Sequence, residues 1–349
     1  MATITTKLTR LLGIRTPLVV PPMAGVSGGA LAAQVSSVGA FGFVAAGYDT
    51  VETLKSQISL AQSILESHKL NKSLFGVGFL AWQLDQRKKE EAEELVTIAL
   101  QENVKAVWFA FGNDLQRWIK FVREYDDRHG KAEKTLAFVQ VSTLEEARVA
   151  TEEWKVDVLV VQGIESGGHG SRHSPPLLTF LPSVLSLPFL SPDCADAIPV
   201  LAAGGLATGA HIASMLTLGA SGAVLGTRFL LSPESLYNDV QKKALSEANE
   251  TSTVRTVAFD TVRGTLGWPE GIDGRALSND TVKDFDQGVP VKELQDKFKE
   301  AVKNGDHSRI LTWAGTGVGL MKEIKSAADI VQELHADCGS RLKAAASYV

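Results

Sequence analysis

At 349 residues, 44% of them hydrophobic, the chain has room for one large domain or two ordinary ones around a sizeable core, which excludes a small cross-linked scaffold. Its formal charge of -5 comes with mixed signs along the chain, so no basic face is offered to a phosphodiester backbone and nucleic acid is not an expected partner. Two cysteines, Cys194 and Cys338, are too few for a disulfide framework or a zinc site and read as free thiols in a reducing, cytoplasmic setting.

Residues 1–48 carry Lys7, Arg10 and Arg15 but no acid, a composition that mimics a transit peptide. Pro17 to Met23 already reads as a core strand, however, and the segment is taken as part of the fold. From there short apolar runs recur in chain order: "PLVVPPMA" (17–24), "FGFVAAG" (41–47), "LFGVGFL" (74–80), "KAVWFAFG" (105–112), "TLAFVQV" (135–141), "VDVLVVQG" (156–163), "IPVLAAGG" (198–205) and "SGAVLGT" (221–227). They are continuous rather than alternating, the pattern of strands covered on both faces, and they are short, with Gly or Pro near the end.

Between them, 51–68, 88–102 and 143–154 show helical spacing, with charge on one face and Leu, Ile, Val and Ala on the other. Thr143 followed by Glu146 reads as a capping box. The stretch 177–190 is the most apolar outside the strands, but Pro182 and Pro188 break it and it is too short to span a bilayer as a helix. No membrane partner is expected.

Eight strand–helix units predict an α/β fold, a TIM (β/α)8 barrel, with a doubly wound open sheet as the alternative. From Ser232 to about Ser308 the sequence turns polar and charge-rich, with helical spacing and weak strand signals. This predicts a mostly helical insertion after the eighth strand: a barrel from 1–231 and 309–349, and a subdomain from 232–308 near the active-site mouth. A last helix beginning near Gly317 would close the ring.

In a barrel the chemistry gathers at the carboxy ends of the strands. Gly204 and Gly205 end the seventh candidate strand, and Gly226 with Thr227 ends the eighth. Backbone N–H groups in two such adjacent turns predict a phosphate-bearing ligand, the other reading being tight strand-to-helix turns. "GTGVG" (315–319) lacks the spacing and the preceding strand of a dinucleotide-binding turn.

His169 follows the sixth run through a glycine-rich loop, which places its ring over the barrel mouth, where a neutral imidazole takes a proton or hydrogen-bonds an anion. His173 makes an H-x-x-x-H spacing with it, but Gly170, Pro175 and Pro176 oppose a helix and no third ligand suggests itself, so no metal is expected. Glu165 is either a second acid/base group or an anchor of the loop. The other histidines read as surface or satisfied side chains.

Taken together, "PPMAGVSGG", "FVAAG", "VVQGIESGGHG", "PVLAAGGL", "GAVLGTRFL" and "WAGTGVGL", in this order over most of the chain, resemble the nitronate monooxygenases, FMN-dependent TIM-barrel enzymes. The resemblance implies that Pro22, Met23 and Ala24 line the isoalloxazine and that Gln140 touches the ring or ribityl chain. It implies that Gly167 and Gly168 pass beside the cofactor, that Gly204, Gly205, Gly226 and Thr227 hold its phosphate, and that His169 is the active-site histidine.

Three positions depart from the family pattern: Ser166 stands where Ala is usual, Gly78 where many relatives place a polar side chain, and Asn113 where Pro is common. The implied reaction is oxidation of alkyl nitronates, or of nitroalkanes, by O2 to a carbonyl compound and nitrite, in a monomer or homodimer. The alternatives are an FMN-dependent NAD(P)H:quinone or enoyl-thioester reductase and a flavin-binding protein without turnover.

Overall fold

The computed structural model describes residues 2–348. Eight parallel strands close a barrel: β1 (Leu18–Val20), β2 (Phe41–Ala45), β3 (Gly76–Leu80), β4 (Ala106–Ala110), β5 (Leu136–Val141), β6 (Val158–Gln162), β8 (Val200–Ala203) and β9 (Gly222–Val224). Each lies on one of the eight apolar runs. What distinguishes the barrel from an open sheet is the closing pair, β9 against β1, with Leu18 opposite Ala223 and Val19 opposite Val224.

The runs are continuous because both faces are buried. Inward-pointing Phe41, Phe43, Trp108 and Phe138 fill the barrel, Phe43 standing edge-on to Trp108 at 5.2 Å and to Phe138 at 5.1 Å. Gly76 makes room for them, since a Cβ there would lie 2.2 Å from the Phe43 ring. The first helix, Lys7–Leu12, presses Leu8 and Leu12 into the same cluster and plugs the lower end. Outward-pointing strand residues pack under the surrounding helices in a second, larger cluster.

The helices follow their predicted windows: Val51–Ser67, Lys89–Gln101 and Leu144–Glu152. Thr143 caps the last of these, accepting from the Glu146 N–H, but the box is not closed on Thr143: the Glu146 carboxylate takes the Ser142 N–H at 2.6 Å instead. Among the described residues no helix is long and apolar enough to cross a membrane.

Two expectations change. The segment read as a glycine-rich loop contains a strand, β7 (Gly168–Ser171), and the region read as mostly helical contributes two more, β10 (Thr253–Thr256) and β11 (Ile272–Leu277). These three form a separate antiparallel sheet in the order β10-β11-β7, with His169 opposite Gly274. Their sequences, "TVRT", "IDGRAL" and "GHGS", are polar and half-buried, so their pairing leaves little local hydrophobic signal. Helices Asp239–Glu247, Ala258–Arg263, Asp280–Asp286 and Val291–Asn304 complete the region, and Phe259, Val262, Val282 and Leu294 give it a small core of its own. The last helix runs Ala327–Ala346, starting later than Gly317; Thr316–Leu320 is a 3-10 turn.

Candidate functional site

A cleft of about 1160 Å³, counting its open mouth, lies at the carboxy ends of the barrel strands. Its floor is the top of the barrel interior, Trp108 of β4 and Gln140 of β5, beside Pro22, Met23 and Ala24 from the turn after β1. Gly204 and Gly205 enter from the turn after β8, Gly226 and Thr227 from the turn after β9, and Gly167, Gly168 and His169 from the start of β7. All eleven residues singled out from the sequence therefore share one wall-to-wall cavity.

The glycine turns have the local chemistry of a cradle. Gly204 and Gly205 have φ of 118° and 70°, a region that glycine occupies without strain. Among the described residues the backbone N–H groups of Gly204, Gly205, Gly226 and Thr227 donate to no protein acceptor. Unpaired, convergent amides of this kind favour an anion. Close approach also needs Gly167, where a Cβ would sit 2.4 Å from the Gly315 nitrogen, so the Gly315 turn, set aside in the sequence only as a dinucleotide-binding turn, is part of the wall.

His169 is held from three sides. Its Nε2 lies 2.9 Å from Oδ2 of Asp260, Trp268 stacks on the ring at 3.6 Å and 12°, and Trp313 meets it edge-on at 4.8 Å. Asp260 comes from the helix Ala258–Arg263, and both tryptophans lie on the carboxy-terminal side of it. Asp260 and Trp268 were not legible in the sequence, and Trp313, which opens "WAGTGVGL", was not singled out, because they lie 91 or more positions from His169 and obey no spacing rule.

Among the described residues Arg263 is the one permanently charged side chain on the cleft wall, and no carboxylate lines it. A field of one sign inside a low-dielectric recess favours an anionic occupant. Tyr48, also on the wall, stays a neutral phenol: burial pushes its pKa up to about 12, against the opposing pull of Arg263 and with Asp260 adding to the rise. The Tyr237 hydroxyl accepts the Trp313 backbone N–H at 2.8 Å and so fixes the chain at the tryptophan that abuts His169.

The remaining sequence candidates sort by contact. Glu165 turns both carboxylate oxygens, each at 3.0 Å, on the Leu177 N–H; it anchors the loop to the start of helix Leu177–Leu185. His173 is exposed, beyond β7. Ser166 lines the cleft with a buried hydroxyl that has no hydrogen-bond partner among the described residues. Gly78 has no space for a side chain, since a Cβ would lie 2.1 Å from Pro22 Cγ. Asn113 is exposed and outside the cleft.

Comparison with known proteins places this architecture. The sequence model of one family, nitronate monooxygenase, matches residues 5–337. A nitronate monooxygenase of Neurospora crassa is 33% identical over 339 residues, covering 92% of this chain and 89% of the relative. Among solved structures, nitroalkane oxidase from Streptomyces ansochromogenes is similar with a TM-score of 0.77 at 28% identity, covering 97% of this chain and 100% of the other. FabK from Thermotoga maritima is similar with a TM-score of 0.76 at 26% identity, covering 99% and 100% of the two chains.

Proposed function

Because this chain belongs to the nitronate monooxygenase family, enzymes that use a flavin on small molecules, we propose that it binds FMN and oxidises alkyl nitronates, and nitroalkanes once deprotonated, with O2 to a carbonyl compound and nitrite. One observation carries the reading: a clamped imidazole and a cradle of unpartnered amides face the same cleft, whose only permanent charge among the described residues is positive.

The residues present fit a flavin mononucleotide. Four free N–H groups on two glycine turns suit a single terminal phosphate, and a Cβ on Gly205 would lie 2.9 Å from Thr316 Oγ1, so that turn stays open only as glycine. Pro22, Met23 and Ala24 offer an apolar surface for a flat ring, Gln140 a polar edge, and Gly167 and Gly168 a backbone that passes close by. The buried Ser166 hydroxyl is the orphan that a ring or substrate oxygen would satisfy. When bound, FMN supplies the electron acceptor for the nitronate and the route of those electrons to O2.

The protein's part is to bind, orient and move a proton. For a neutral nitroalkane, His169 removes the α-proton, and the C–H electron pair passes into the nitro group. For a preformed nitronate no proton is removed, and the ring donates to its oxygens only when it is protonated. Arg263 draws the anion into the cleft, while Trp268 and Trp313 keep water from the imidazole. Residues 1–231 with 309–349 serve as the FMN-binding barrel, and 232–308 as the subdomain that roofs its mouth.

The test is anaerobic titration of the purified yellow protein with propyl nitronate and, separately, with NADH and NADPH. Bleaching by the nitronate, with nitrite released on admitting O2, is the expected result. Fast bleaching by NAD(P)H with none by nitronate would replace this reading by a reductase on the same barrel. FAD in place of FMN by mass analysis of the released cofactor would overturn the cofactor assignment.

A further inference from the structure

We propose that Asp260 is a positioning residue for His169: its carboxylate holds the imidazole as the Nε2–H tautomer, which makes Nδ1 the atom that takes the substrate proton. The inference rests on the reading of His169 as the base.

A carboxylate accepts hydrogen bonds and cannot donate them. With Oδ2 of Asp260 at 2.9 Å from Nε2, a neutral His169 must carry its proton on Nε2. Asp260 is itself aimed. Its Oδ1 accepts from Thr265 Oγ1 at 2.8 Å, its backbone carbonyl accepts the Thr265 N–H at 3.0 Å, and the side chain is almost completely buried. Nδ1, by contrast, has no hydrogen-bond partner among the described residues. It is the nitrogen left with a lone pair for the cleft.

The ring has few other places to go. Trp268 lies flat against it and Trp313 crosses its edge. Trp313 reaches that position by lying on Gly274, directly opposite His169 across the β7–β11 ladder, where a Cβ would be 2.3 Å from the indole. The segment between β6 and β8 thus contributes the histidine, while the 232–308 segment contributes the group that sets its tautomer.

As the α-C–H bond breaks, its electron pair moves onto the nitro oxygens, its proton moves to Nδ1, and the resulting imidazolium faces the Asp260 carboxylate through Nε2–H. That pairing stabilises the charged ring as it forms. The other titratable groups around the pair are Arg263, Tyr48 and Tyr237 on the cleft side, with Arg255, Asp273 and Arg275 behind β7. Arg255 and Asp273 neutralise one another.

Two measurements test this on the flavin-loaded enzyme. The first is 15N NMR of the histidine ring nitrogens, with His169 assigned from the signals lost in His169→Asn. An unprotonated Nδ1 and a protonated Nε2 are expected at neutral pH; a protonated Nδ1, or both tautomers in comparable amounts, would overturn the proposal. This readout needs no turnover, so it stands or falls separately from the assignment of the reaction, which nitronate oxidation by the wild type decides.

The second is Asp260→Asn, whose amide can turn either end to Nε2 and so admit the wrong tautomer. At matched flavin content its kcat/KM on a neutral nitroalkane should fall about tenfold to a thousandfold. On a preformed nitronate, where no proton is removed, the loss should be clearly smaller. Equal losses on both substrates would leave Asp260 a purely structural anchor. If the variant fails to retain flavin, the wild-type tautomer decides the matter alone.

Discussion

The barrel wall and the three-stranded sheet over its mouth are assembled by different forces, and the difference tracks what each is for. Barrel strands such as β2 and β6 are buried at every position and are held by apolar packing on both faces. In β10 and β11, Arg255 reaches Asp273 at 2.6 Å and the Gly170 carbonyl at 2.6 Å, while Arg275 reaches the Ile164 carbonyl at 3.2 Å. Packing is forgiving of direction but sensitive to volume, whereas charged hydrogen bonds are sensitive to direction. The wall therefore supplies stability, and the mouth sheet supplies the angle at which His169, Trp313 and the Asp260 helix meet.

That contrast breaks first where volume is removed. Phe43→Ala should cost about 3 to 5 kcal/mol, because a ring touching three other aromatics leaves a void inside a closed barrel. Chemical denaturation checks it, and a loss below about 1 kcal/mol would show that the barrel interior relaxes as a soft core does. His169→Asn at the mouth should behave oppositely. Flavin content and Tm should be nearly unchanged, and turnover of a neutral nitroalkane should fall about a hundredfold to ten-thousandfold, with a smaller loss on the nitronate. Co-loss of flavin would show that the mouth sheet also carries the cofactor.

A milder effect is expected at the cleft rim. Arg263 is exposed and makes no ion pair among the described residues, so Arg263→Gln should leave Tm unchanged and raise KM for nitronates about threefold to tenfold, with a weaker salt dependence. An unchanged KM would remove Arg263 from anion capture. The smallest effect concerns His211, whose Nδ1 accepts the Ala207 N–H at 2.9 Å beside the glycine cradle and whose pKa is lowered from 6.5 by burial.

The unfolded chain then binds a proton more readily than the folded one, so stability is complete above the ordinary value and is lost as pH falls through the lower folded value. His211→Asn keeps an acceptor that does not titrate, and should flatten the slope of Tm against pH below 6.5. An identical slope in the two proteins would assign the acid sensitivity to other groups.

Much of the barrel is written locally. "FGFVAAG" and "VDVLVVQG" are apolar without interruption because a strand covered on both faces has no polar side to display, and a single sequence shows that directly. The glycine turns and His169 were legible for a similar reason: a strand end followed by residues without side chains marks where a barrel opens. β7 was not, since Gly168 and Gly170 have no side chains to form a pattern and the strand exists only because β11 pairs with it. Gly78 was visible as a departure, but its cause, the Pro22 ring lying on it, was not.

The sequence by itself therefore determined the family, the eight-stranded barrel and the residues that line its mouth, because burial periodicity and turn chemistry act over a few neighbouring positions. Only the tertiary structure decided that Asp260, Trp268 and Trp313 close on His169. Those contacts join residues 91, 99 and 144 positions apart through directional hydrogen bonding and ring stacking, and forces of that kind leave no trace in the spacing of either partner.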